Sequence, residues 1–189
     1  MSYNSLLEIL KTTIEKNKVK KLAAIASDVT FSIKELIDLT FHQDQQIGFR
    51  AAWILENVYS LHQQRFLAYA EYFLVKLPEQ NNLSARRHYS KILALMTSKK
   101  ASLAIQEIIM DYNTGILTDI VFSWLIDPDV PVAIKSHCLN ILANLNTKHS
   151  WIKEELLQTM DFLADKESIG FYAKVKQIRK QFCKPSHFK

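Results

Sequence analysis

The chain has 189 residues, 48% of them hydrophobic, which excludes wholesale disorder and lets a chain of this size bury roughly 70% of its unfolded surface. Three glycines and four prolines among abundant Leu, Ile, Ala, Lys and Glu are too few to punctuate many strands, so the composition is that of an all-helical protein. The net charge of +5 is unevenly placed: Ser84 to Lys100 holds Arg86, Arg87, Lys91, Lys99 and Lys100 without an acid, and Phe171 to Lys189 holds Lys174, Lys176, Arg179, Lys180, Lys184 and Lys189, again without one.

The first predicted helix runs from about Ser5 to Lys16 with Leu6, Leu10 and Ile14 inward, and its scattered charges set it apart from a signal peptide. A short second helix around Val19 to Ala26 presents Leu22, Ala23 and Ile25. Ser32-Ile33-Lys34-Glu35 has capping-box spacing and starts a third helix reaching Thr40 or Phe41. The next, Ile47 to Leu61, is the strongest: Ile47, Ala51, Ile54, Val58 and Leu61 share one face, Asp44 is placed to cap it, and Gly48 and Ala52 permit a close neighbour. A helix from Gln64 to Leu77 follows, stopped by Pro78, with Phe66, Leu67, Ala70, Phe73, Leu74 and Leu77 as its apolar stripe. Then come a helix that follows a polar turn at Gln80 to Ser84 and ends near Met96, one from Ser98 to Tyr112 (core contacts from Leu103, Ile105, Ile108 and Ile109), and one from Ile116 to Ile126. The last three are a helix ending near Leu145 after the Asp127–Pro131 turn, one from Ser150 to Ala164, and one from Ser168 to about Cys183. Links are short, so consecutive helices are expected to pack antiparallel.

The start of the Ile47 helix returns in altered form. Leu83-Ser84-Ala85-Arg86-Arg87-His88, Val132-Ala133-Ile134-Lys135-Ser136-His137 and Ile169-Gly170-Phe171-Tyr172-Ala173-Lys174 each begin aliphatic-then-small, and the copies at residues 47, 83 and 132 put Arg50, Arg86 and Lys135 at the fourth position. Starts at 47, 83, 132 and 169 give intervals of 36, 49 and 37 residues: two fit a helix pair per repeat, and the longer one leaves room for an extra helix. In a repeat array equivalent positions line up, so Arg50, Arg86 and Lys135, extended by Arg87, Lys91, Lys174 and Arg179, are the candidate interaction surface, suited to phosphates or an acidic peptide. The competing reading has these cations capping helix ends or pairing with acids of a neighbouring repeat.

Other chemistry finds little support. Gly48, Gly115 and Gly170 are isolated and build no phosphate loop. Cys183 and His187 have a spacing metals use, but Pro185 lies between them and further ligands are missing. His137 beside Cys138 points away from it on a helix, which favours a core cysteine over a nucleophile pair. Glu56 reads as an exposed or inter-repeat hydrogen-bonding group, and Asp127 and Asp129 as turn and cap residues. Trp53, Trp124 and Trp151 sit in apolar pattern, where burial is the default and base stacking the minor reading. No apolar run approaches the roughly 20 residues that span a bilayer, and two cysteines give no disulfide framework, so a reduced cytoplasmic location is expected.

A cap-rich turn followed by an aliphatic, small, basic helix start resembles HEAT and armadillo-type repeats over roughly residues 30 to 183. Ala52-Trp53-Ile54-Leu55-Glu56, Val130 to His137, Trp151-Ile152-Lys153-Glu154-Glu155-Leu156 and Gly170 to Lys174 further resemble a group of short bacterial HEAT-like proteins of unassigned function. Some of that group carry the label adenylosuccinate lyase; those lyases resemble one another through a Ser-Ser-x-Met-Pro loop, which does not occur here, so nothing catalytic is carried over. The expectation is one all-α HEAT-like domain over residues 1–189, an α-α superhelix of about ten or eleven helices. Its expected role is a non-catalytic scaffold for a protein partner, with no cofactor, metal, membrane or small-molecule substrate. The alternative is a repeat protein that binds nucleic acid through the basic stripe.

Overall fold

The computed structural model describes residues 3–12, 14–27 and 32–183. Among them are twelve α-helices and no strand: α1 (Tyr3–Lys11), α2 (Lys16–Ser27), α3 (Ile33–Leu39), α4 (Gln45–Leu61), α5 (Gln63–Leu67), α6 (Ala70–Lys76), α7 (Leu83–Met96), α8 (Leu103–Asp111), α9 (Thr114–Ile126), α10 (Val132–Leu145), α11 (Trp151–Ala164) and α12 (Ile169–Cys183). The all-helical expectation holds, and the count exceeds it because the predicted Gln64–Leu77 helix is two helices and a 3-10 turn (Leu77–Glu79). No proline or glycine lies between Gln63 and Lys76. Phe66 of α5 is buried and meets Tyr59 of α4 edge-on at 5.1 Å and Phe73 of α6 at 5.4 Å, so the two short helices share one aromatic cluster across the break.

The chain divides into two compact units, one made of the chain up to Ile92 with Ser102–Tyr112, the other of Leu93–Ala101 and the chain from Asn113 onward. The first is built around α4, against which α1, α2, α3 and α5 pack; in the second α9, α11 and α12 all pack on α10. Both central helices open with a copy of the repeated hexapeptide.

Two of the expected caps appear as the sequence places them, whereas Ser150, expected to cap α11, makes no side-chain capping bond. Ser32 Oγ accepts the Glu35 amide at 3.3 Å, and Asp44 Oδ1 accepts that of Gln46 at 2.8 Å. Ile47, Ala51, Ile54 and Val58 are buried as expected, but Leu61, at the last position of α4, is 55% exposed. The residues after Ser98 form a turn, Ala101 N–H donating to the Ser98 carbonyl, so α8 starts late and Leu103, expected in the core, is 77% exposed at its first position. Ile25 is also exposed, while Ile105 and Ile109 are buried.

Gly48 marks where α4 is most tightly held. A Cβ there would lie 2.8 Å from the Thr40 carbonyl oxygen, at the end of α3, and 3.1 Å from Asn82 Nδ2, which donates to the Gln45 carbonyl at 2.8 Å. The close neighbours are thus two polar turns, not a packed helix. Gln80 Nε2 reaches the same Thr40 carbonyl at 3.3 Å, and Thr40 Oγ1 lies 2.7 Å from the hydroxyl of buried Tyr89. Burial pushes the Tyr89 phenol well above its ordinary pKa, so that hydroxyl stays neutral. Gly48→Ala is expected to destabilise the protein by about 1–3 kcal/mol despite alanine's higher helix propensity, because a backbone carbonyl must move. Gly170→Ala, whose Cβ would meet nothing nearer than Ser168 Oγ at 3.7 Å, should be neutral or stabilising by about 0.5–1 kcal/mol. Urea denaturation of the two variants checks the contrast.

Candidate functional site

The cations of the repeated hexapeptide are engaged within their own units. Arg50 Nη1 donates to the Leu10 carbonyl, in the last turn of α1, at 2.7 Å. Arg86 is buried, and its Nε donates to the Gln80 carbonyl at 2.9 Å. Lys135 is fully buried in α10, where its ammonium donates to Glu167, in the turn between α11 and α12. The three positions expected as a ladder on one edge are therefore internal latches. The physical reason is that each sits at the start of a central or packed helix, beside a turn with an oxygen to satisfy. Of the other four, Arg87 is exposed, Lys91 is half-buried, Lys174 is half-buried with Nζ donating to Gln177 at 2.9 Å, and Arg179 pairs with Asp161. Burial lowers the Lys174 pKa.

A different grouping in the first unit joins α4 to α7. Phe49 and Trp53, one turn apart on α4, stack with centroids 6.0 Å apart, and the His88 ring lies 5.5 Å from Phe49. Both aromatic side chains are half-buried. One turn further along α4, Glu56 receives His88 Nδ1 at 2.6 Å and Lys91 Nζ at 2.5 Å. Glu56 thus takes the inter-repeat hydrogen-bonding role read from the sequence. Burial alone would raise its pKa, but the hydrogen bonds and charges of His88 and Lys91 outweigh it and hold the carboxyl below its usual range. The result is a half-exposed aromatic shelf with fixed side chains, with Arg87 adjacent in sequence to His88. Of the tryptophans, Trp124 is buried as expected, Trp53 is half-buried, and Trp151 is 50% exposed.

The remaining candidates do local work. His42 Nδ1 accepts the Asp44 amide at 3.0 Å, and Thr114 Oγ1 lies 2.7 Å from His149 Nε2. Asp127 Oδ1 accepts the Asp129 amide at 2.9 Å, a turn role. Cys138 is buried; Pro185, His187, Lys184 and Lys189 lie outside the described residues. A cleft of about 280 Å³ opens between the α3–α4 link and the turn before α7, but its walls include Thr40, Gln80 and Asn82, whose polar atoms bond one another and the nearby backbone. Among the described residues no cluster of three or more His, Cys, Asp or Glu could hold a metal, and no helix is long and apolar enough to cross a membrane.

Comparison with protein families matches residues 6–182 to the HEAT repeat domain. The chain belongs to the HEAT repeat domain family. No curated protein and no solved structure matches it. The HEAT match takes in α2 and most of α1, which the resemblance over residues 30 to 183 had left out. The engaged cations of this HEAT repeat protein follow the competing reading of the sequence, in which they cap helix ends or pair with acids; which acceptors they meet was not legible for Arg50 and Lys135, whose partners lie 40 and 32 residues away. The shelf had a signal, aromatic residues one turn apart at Phe49 and Trp53, but in an apolar helix that spacing reads as core.

Two predictions follow from the ion pairs. Folded Glu56 ionises below the unfolded carboxyl, whose pKa is about 4.3. Its stabilisation is therefore complete above that value and lost as pH falls through the folded one. Glu56→Gln should cost about 1–2 kcal/mol at neutral pH, with the gap to wild type closing as the pH falls below about 4. Urea midpoints measured between neutrality and acid test this. Glu167→Gln, which leaves the Lys135 ammonium buried without a counter-charge, should cost about 3 kcal/mol, and adding Lys135→Met should recover most of it. A double-variant that is no more stable than Glu167→Gln alone would refute the pairing.

Proposed function

We propose that the protein is a non-catalytic HEAT-repeat scaffold that holds a protein partner against the α4–α7 shelf. The observation that carries this reading is the half-exposed Phe49–Trp53 stack, backed by His88 and locked through Glu56 to Lys91. Aromatic side chains with a polar, cationic border are what central contacts of protein interfaces are made of. The partner that fits is a segment with an apolar anchor for the shelf and carboxylates for Arg87 and Lys91, an acidic peptide in chemical class. No cofactor enters this role, and a reduced cytoplasmic setting suits a chain whose Cys138 and Cys183 form no disulfide.

Nucleic acid is the second reading, favoured by the exposed Arg87, next in sequence to His88 of the shelf, together with aromatic rings on which bases could stack. It is weakened by the latching of Arg50, Arg86 and Lys135 inside the fold, which removes three cations from the proposed stripe. The deciding pair of variants is Trp53→Ser and Arg87→Glu, neither of which touches the latches. A protein partner captured by wild type should resist nuclease and moderate salt and be lost, by about tenfold or more in affinity, from Trp53→Ser. Fluorescent duplex and single-stranded DNA and RNA provide the other arm. Binding to them that falls steeply with salt and disappears in Arg87→Glu would overturn the protein-scaffold reading in favour of the second.

A further inference from the structure

The second unit carries an unpartnered surface of a different kind. On α11, Trp151 and Phe162 are 50% and 61% exposed. Eleven residues apart, they lie within about 20° of each other on the helix and about 16 Å apart along it. Exposed Glu154, Glu155 and Asp161 lie between or beside them, with Asp165 just beyond the helix end. On α12 the exposed side begins with Ile169, 89% exposed, and Tyr172, 46% exposed, and continues through Lys176 and Lys180. That helix contains no acid. The two outer faces adjoin: Arg179 of α12 pairs with Asp161 of α11 although both side chains keep much of their exposure, and Lys153 lies 5.8 Å from the Phe182 ring. Trp151 is steadied by stacking on Phe122 at 6.1 Å. One surface thus carries an acidic helix beside a basic helix, with large apolar side chains on each.

Such a surface is complementary to itself. Turned through a two-fold axis, the acidic face of α11 meets the basic face of α12 of another molecule, and the reciprocal contact forms at the same time. We infer that the α11–α12 face is a homodimer interface, with Trp151, Phe162, Ile169 and Tyr172 as its apolar anchors and two equivalent sets of acid–base contacts, Glu154 and Glu155 against Lys176 and Lys180. A basic segment of another protein would satisfy α11 but leave α12 uncompensated, and an anionic surface would satisfy α12 but be repelled by α11. A second copy satisfies both at once. This inference uses no residue of the α4–α7 shelf, so the two fail independently.

Sedimentation equilibrium of the full chain at about 50 mM and about 500 mM salt tests it, with two charge-reversed variants. The first is Glu154→Lys with Glu155→Lys, the second Lys176→Glu with Lys180→Glu; Asp161 and Arg179 are left in place. Wild type should dimerise at low salt with a dissociation constant that rises about tenfold at high salt. Each variant alone should be monomeric, and an equimolar mixture of the two should form a heterodimer, since one contact set is then restored with reversed sign and the other keeps its native pairing. That rescue also shows that both variants are folded. Trp151→Ser should weaken wild-type dimerisation without altering its salt dependence. A wild type that stays monomeric at both salts, or variants that dimerise as wild type does, would overturn the inference; a monomeric wild type that binds oligolysine or anionic vesicles would assign the face to a foreign partner instead.

Discussion

The fold depends on how its repeated helix starts are closed down onto neighbouring turns. A helix packed on several others brings its first turn against chain segments whose carbonyl or carboxylate oxygens have lost water. Those oxygens need donors, and an orphaned one costs about 1–3 kcal/mol. At the equivalent position of three repeats the donor is a cation on the packed helix itself: Arg50 to the end of α1, Arg86 to the turn before α7, and Lys135 to the turn after α11. The residue chemistry changes to suit the acceptor. Arg50 and Arg86 donate to neutral carbonyls through a broad, weakly hydrated guanidinium; the compact ammonium of Lys135 is buried against a full negative charge.

This accounts for how a basic protein can leave much of its repeated basic pattern unavailable to a ligand. Charge counted along the chain measures what a residue carries, whereas recognition depends on what remains exposed after the turns are satisfied. Arg87 and Arg86 are neighbours in sequence, yet one faces solvent and the other is buried, because adjacent helical residues diverge by about 100°. The same divergence separates His88 from both, and turns it towards Glu56 and Phe49.

Much of the fold was legible because helices announce themselves locally. Ser32 and Asp44 cap as their spacing requires, and α10 runs from Val132 to Leu145 between the turn and polar link read on either side. The failures share a physical cause. Leu61 and Leu103 obey the apolar period but sit at a helix end, where the neighbouring helix no longer covers them. Trp151 lies at the first position of α11 in the same way. The break between α5 and α6 carries no proline or glycine, the residues that would have signalled it locally. Partners of the candidate site residues were illegible for the simplest reason: Glu56 and His88 are 32 residues apart, and periodicity fixes the face of a helix without fixing what lies opposite.

The two outward-facing groups differ in what they ask of a partner. At the α4–α7 shelf a single carboxylate fixes two side chains of another helix, so His88 and Lys91 are held before anything binds. Little rotamer entropy is then left to lose on association, which favours recognition by shape. On α11 and α12 the aromatic rings are instead covered by flexible lysines of their own helices or links: Lys166 Nζ sits 3.2 Å from the Phe162 centroid, and Lys176 Nζ 4.6 Å from that of Tyr172. These ammonium groups shield apolar surface while it is unpartnered and swing aside at a cost of about 0.5–1 kcal/mol each. A rigid shelf and a lysine-covered face thus solve one problem differently: each keeps an exposed aromatic group soluble without giving up its capacity to bind.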